Sequence, residues 1–66
     1  MNIVLYTTHC PKCKVLESKL IEKNIDFQIE EDIEKLIDLG YMSAPILSVD
    51  GEVMEFGEAV KWVNNK

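Results

Sequence analysis

The stretch YTTHCPKCKV, residues 6–15, joins two segments of opposite character and holds both cysteines of this 66-residue chain. Before it, NIVLY (residues 2–6) is apolar and rich in β-branched side chains, too short for a helix and suited to a buried strand. After it, PKCKVLESKLIEK (residues 11–23) places Cys13, Leu16 and Leu20 at helical spacing, with Val15 and Ile21 alongside. Pro11 falls in the first helical turn, where the missing N–H would have had no partner inside the helix. The chain must therefore turn from strand to helix between Tyr6 and Pro11. Cys10 then stands at the helix start and Cys13 one turn further in.

The remaining segments extend the alternation. DFQIE (26–30) alternates apolar and polar residues and reads as a strand, with Asn24 stopping the helix before it. In DIEKLIDLG (32–40), Ile33, Leu36 and Ile37 share a helical face, Asp32 is the candidate N-cap and Gly40 the stop. ILSV (46–49) and EVMEF (52–56) are strands joined by Asp50-Gly51, a two-residue hairpin signal. GEAVKWVNNK (57–66) closes the chain as a helix with Ala59, Val60 and Val63 inward. The order β-α-β-α-β-β-α predicts an α/β fold, one domain over residues 1–66. Its four-stranded mixed sheet carries three helices, with the first two strands parallel through a right-handed crossover and the last two antiparallel.

A chain of this length buries only ~60% of the surface its unfolded form exposes, so its core must be well patterned or stapled. The net charge is −5 and uneven: residues 1–23 carry four lysines against two acids, residues 24–66 three lysines against ten acids. An acidic majority argues against nucleic acid, which needs a basic face. The run Glu30, Glu31, Asp32, Glu34 reads as a solvated helix start. No apolar run approaches the ~20 residues that span a bilayer, and the N-terminus lacks the features of a secretion signal. The expected place is the cytoplasm, where a C-x-x-C pair reads as catalytic or metal-binding before structural.

Three roles compete for Cys10 and Cys13. A staple closing so short a loop removes little unfolded-state entropy. Zinc would need four ligands; His9, which adjoins Cys10, could supply a third, and the chain has no other histidine or cysteine. Redox exchange fits each local feature. Cys10 at a helix start gains from unpaired N–H groups and the positive dipole end, and Lys12 and Lys14 add positive charge. Cys10 is then the more exposed and more acidic thiol that attacks a disulfide, and Cys13 the more buried thiol that resolves the mixed disulfide.

LYTTHCPKC after a first strand resembles the active-site loop of glutaredoxins. LGYMSAPIL resembles the matching segment of the NrdH-type redoxins, small glutaredoxin-like donors to ribonucleotide reductase. The resemblance covers essentially the whole chain and implies a minimal thioredoxin-like fold. It implies a cis Ala44-Pro45 bond beside the cysteines, with the Ala44 backbone offered to a substrate peptide or glutathione. Lys12, Gly57 and Glu58 would face glutathione, and Tyr6, with Tyr41, would line the groove. The sequence departs from glutaredoxins in having a single glycine, Gly57, before Glu58, and from the redoxins in lacking a Phe-Arg-Pro-type segment there. The expected activity is reduction of protein disulfides, ribonucleotide reductase among them, by a monomer with no tightly bound cofactor. Glutathione or thioredoxin reductase would recycle it. The alternative is a glutathione-assisted module that binds or transfers an iron–sulfur cluster through Cys10. His9 is expected as an exposed loop residue, Trp62 over the sheet edge, and Met1, Met42 and Met54 as filler, Met42 nearest the site.

Overall fold

In the computed structural model, which describes residues 2–66, the elements are β1 (Ile3–Tyr6), α1 (Pro11–Glu22), β2 (Gln28–Glu30), α2 (Ile33–Asp38), β3 (Ile46–Val49), β4 (Glu52–Glu55) and α3 (Phe56–Asn64). The expected order holds. The sheet runs β2-β1-β3-β4, with β1 and β2 parallel and the other pairs antiparallel.

Local chemistry ends the elements where the sequence places their stops. Asn24 lies in the left-handed region at φ 57°, and its N–H donates to Ile21 O while Ile25 N–H donates to Leu20 O. Gly40 at φ 92° ends α2 in the same way, its N–H donating to Ile37 O and that of Tyr41 to Leu36 O. Both pairs of bonds satisfy carbonyls that the last helical turn leaves open. Asp50 and Gly51 both have positive φ, as a tight turn matching the twist of β3 and β4 requires.

Register sorts the sheet into two unequal faces. Ile3, Leu5, Leu47, Val49 and Met54 share one face and form the main core with Leu16 and Leu20 of α1 and Ala59 and Val63 of α3. Burying these side chains is the main stabilising term, roughly 1.5–3 kcal/mol for each large one. Trp62 is half-buried against this core, with Lys66 Nζ 4.5 Å from its ring centroid. The opposite face carries Val4, Tyr6, Ile46, Ser48 and Val53. Six-residue α2 serves it: Lys35 of α2 reaches Glu30 at 3.0 Å, and Glu30 is in register with Tyr6 and Ile46. Leu36 and Ile46 are buried there, while Val4, Tyr6, Ser48 and Val53 stay half-buried.

Several expectations are corrected. Ile33 and Ile37 do not join Leu36 inside; they are 43% and 54% exposed, because one short helix meets the sheet along a single line. Val15 and Ile21 likewise flank the buried stripe of α1 and remain exposed, and Val60 is only half-buried. β1 starts at Ile3, and β2 is limited to the three residues that pair with Val4, Leu5 and Tyr6. Phe56 is the first residue of α3, not the last of β4. Met54 is core filler, Met42 is 90% exposed, and Met1 lies outside the described residues.

Leu36→Ala is expected to cost ~2–5 kcal/mol in urea unfolding of the reduced protein. Ile37→Ala on the same helix should stay within ~0.5 kcal/mol of the unsubstituted chain. Equal losses would contradict this placement of α2.

Candidate active site

The turn from β1 into α1 is tied down residue by residue. Thr7, 2% exposed, donates its N–H to Glu30 O at 3.0 Å, extending the β1–β2 pairing past Tyr6. His9 N–H donates to Thr7 Oγ1 at 3.0 Å. His9 itself has φ 62°, a left-handed conformation that costs a residue with a Cβ ~1–2 kcal/mol. Its Nε2 meets the Glu31 carboxylate, and both side chains are largely exposed. Cys10 then takes an extended N-cap conformation, and Lys14 N–H donates to its carbonyl at 3.0 Å in the first helical bond.

The cap of α1 is a sulfur. Cys13 N–H donates to Cys10 Sγ at 3.3 Å, so the Cys10 side chain takes one of the orphan donors of the first turn. Both cysteines are free. Cys10 is half-buried, Cys13 is fully buried, and their sulfurs lie 2.7 Å apart. Cys10 Sγ also faces Ala44 O at 3.9 Å. Ala44-Pro45 is cis, as the resemblance implied.

Burial is the largest single influence on the Cys13 thiol and pushes its pKa up. The Cys10 sulfur, the Thr7 hydroxyl and the backbone of Thr8 and Cys10 outweigh it together, bringing Cys13 from 9.0 down to about 7. The sequence pointed to Cys10 as the more acidic thiol; the shift in the structure falls on Cys13.

The other expected residues divide into groups. Ala44 meets the dithiol through its carbonyl, and Pro45 follows it across the cis bond and is buried. Lys12 extends its ammonium to 5.7 Å from the Phe56 ring centroid, at the first residue of α3, with Gly57 and Glu58 next in the chain. The N-cap of α3, Glu55, makes no side-chain capping bond, and a Cβ at Gly57 would meet nothing within 4 Å, so this helix start is open. Tyr6 points to the α2 face of the sheet, away from α1 and α3, and Tyr41 is half-buried in the segment leading to Ala44. His9 is exposed as expected.

Sequence reasoning missed three contributors. Thr7 carried a faint signal as a polar residue directly after an apolar strand. Phe56 was hidden in a strand-like run. Glu31 was one acid among several, and only the β1–β2 pairing brings it to His9. Among the described residues, no group of three or more His, Cys, Asp or Glu side chains could hold a metal ion, and no helix is long and apolar enough to cross a membrane.

A family model described as a thioredoxin domain matches residues 1–63. No curated protein and no solved structure gives a significant match to the chain.

The lowered Cys13 value has a direct thermodynamic consequence. Between about 7 and about 9 the folded Cys13 thiol is ionised while the unfolded one is still protonated. The unfolded state then binds more protons, so stability of the reduced form rises with pH across this window and the gain is lost as pH falls through about 7. Urea midpoints at pH 6.5 and 9, compared with those of Cys13→Ala, should show this excess slope. Thr7→Val should flatten it and Thr7→Ser retain it.

Proposed function

The chain belongs to the thioredoxin-domain family, and on that premise we propose that it is a small thiol–disulfide oxidoreductase that passes two electrons to disulfides in proteins. The observation that carries this reading is the asymmetry of the dithiol: a partly exposed sulfur capping a helix, in contact with a fully buried one.

The Cys10 thiolate attacks one sulfur of the substrate disulfide. A Cys10–substrate bond forms, the substrate S–S bond breaks, and the second substrate sulfur leaves as a thiolate that takes a proton from solvent. Cys13 then gives up its proton to solvent and attacks Cys10 Sγ as the thiolate. The intramolecular disulfide forms, and the remaining substrate sulfur leaves as a thiolate. Two electrons have moved from the dithiol to the substrate. The Cys13 N–H stabilises negative charge on Cys10 before attack, and the short sulfur–sulfur distance makes resolution intramolecular and fast.

In this reading Ala44 pairs its backbone with the chain flanking the substrate disulfide, and Pro45 shapes the groove. Lys12, with the open α3 start at Gly57 and Glu58, meets the carboxylate end of glutathione or of a substrate segment. The LGYMSAP segment and the missing second glycine favour the redoxin side. A flavoprotein such as thioredoxin reductase is then the main reductant, glutathione binds weakly, and ribonucleotide reductase is a candidate acceptor. Such chemistry belongs in a reducing compartment such as the cytoplasm.

Iodoacetamide at mildly acidic pH should label Cys10 before Cys13. Cys10→Ser should abolish disulfide reduction, and Cys13→Ser should accumulate a Cys10–substrate mixed disulfide visible by mass spectrometry. Labelling of Cys13 first, or trapping through Cys13, would reverse the roles.

For the recycling partner, turnover with thioredoxin reductase should exceed turnover with glutathione and glutathione reductase. The opposite order would assign the chain to the glutaredoxin side.

A further inference from the structure

His9 occupies a position that stability alone does not explain. Its φ of 62° is a conformation glycine adopts without penalty and other residues adopt rarely. Its side chain buries nothing in the core, and an exposed ion pair contributes little to folding. The pair instead makes a geometric link. Glu31 stands at the β2–α2 junction, directly after Glu30, whose carbonyl holds the Thr7 N–H, and directly before Asp32, which caps α2. His9 stands between Thr7 and Cys10. Besides the His9–Glu31 contact, the turn is fastened through Thr7 behind it and through Cys10 ahead, whose carbonyl accepts from Lys14 N–H and whose sulfur accepts from Cys13 N–H and faces Ala44 O.

We propose that the His9–Glu31 pair is a positioning device for Cys10, locking the β1–α1 turn against the β2–α2 junction so that the Cys10 sulfur is held at the helix end in its attacking position. This inference rests on the reading of Cys10 as the attacking thiol. His9 acts through the backbone it fixes and is not itself a reacting group. Loosening the turn leaves the fold and the substrate groove in place and lowers the fraction of time the sulfur sits on the Cys13 N–H, so attack slows while substrate affinity does not change.

The test uses the full reduced chain and follows iodoacetamide labelling of Cys10 by mass spectrometry at fixed pH, beside thermal unfolding. His9→Gly and Glu31→Ala should each slow labelling about two- to fivefold, the factor an exposed ion pair can supply. The double variant should be no slower than either single one, because one contact is lost in all three. His9→Gly should melt at the same temperature as the unsubstituted chain or higher, since glycine relieves the backbone, which separates positioning from a loss of fold. Glu31→Gln should keep most of the rate, because its amide oxygen still accepts from Nε2. Unchanged labelling in both single variants, or additive losses in the double variant, would overturn the inference while leaving the proposed function standing. Labelling of Cys13 before Cys10 in the unsubstituted chain would overturn both.

Discussion

The hydrogen bond from Cys13 N–H to Cys10 Sγ is the contact on which the site depends. A helix leaves its leading N–H groups without internal partners, and most helices satisfy one with a hydroxyl or carboxylate. Here the acceptor is a sulfur, so the atom that completes α1 is also the atom offered for chemistry. Pro11 behind it has no N–H to satisfy, which leaves the Cys13 N–H facing the sulfur. One turn in, Cys13 joins the stripe of Leu16 and Leu20 and is buried with it. The helix cap, the exposure difference between the thiols and their contact all follow from one placement.

The two faces of the sheet contribute differently. The face covered by α1 and α3 carries most of the apolar burial and fixes the helix that holds the dithiol. The α2 face is thinly covered, with Leu36 and Ile46 buried and Ile33, Ile37 and Leu39 left substantially exposed. It supplies the site with loops: the segment carrying Ala44 and Pro45, and the acidic junction carrying Glu30 and Glu31. The dithiol lies at the end of the sheet where these loops meet the start of α1. Its helix side is anchored by packing, and its loop side by a few polar contacts, of which Thr7 with Glu30 and His9 with Glu31 are the clearest.

Thr7 links these parts. Its N–H belongs to the sheet pairing, its oxygen accepts from the left-handed His9, and its side chain lowers the Cys13 pKa. It is the one buried polar residue among those described, and a buried hydroxyl is tolerated because its hydrogen-bonding capacity is used.

By itself the sequence determined what depends on near neighbours in the chain. The element order follows from periodicity. The stops at Asn24 and Gly40 and the turn at Asp50-Gly51 follow from which residues tolerate positive φ. The C-x-x-C pair lies at a helix start because Pro11 and the Cys13, Leu16, Leu20 stripe put it there. Tertiary structure decided what depends on partners distant in sequence. Ile33 and Ile37 carry the same periodic signal as Leu36, but burial is set by the sheet beneath the helix, and a six-residue helix touches it along one line. Phe56 reads as strand by its neighbours and starts a helix because β3 offers its pairing partner for Glu55 but none beyond. The meeting of His9 with Glu31 likewise required β2 to come alongside β1. No residue spacing encodes a contact across 22 positions, since its existence depends on the packing of everything between.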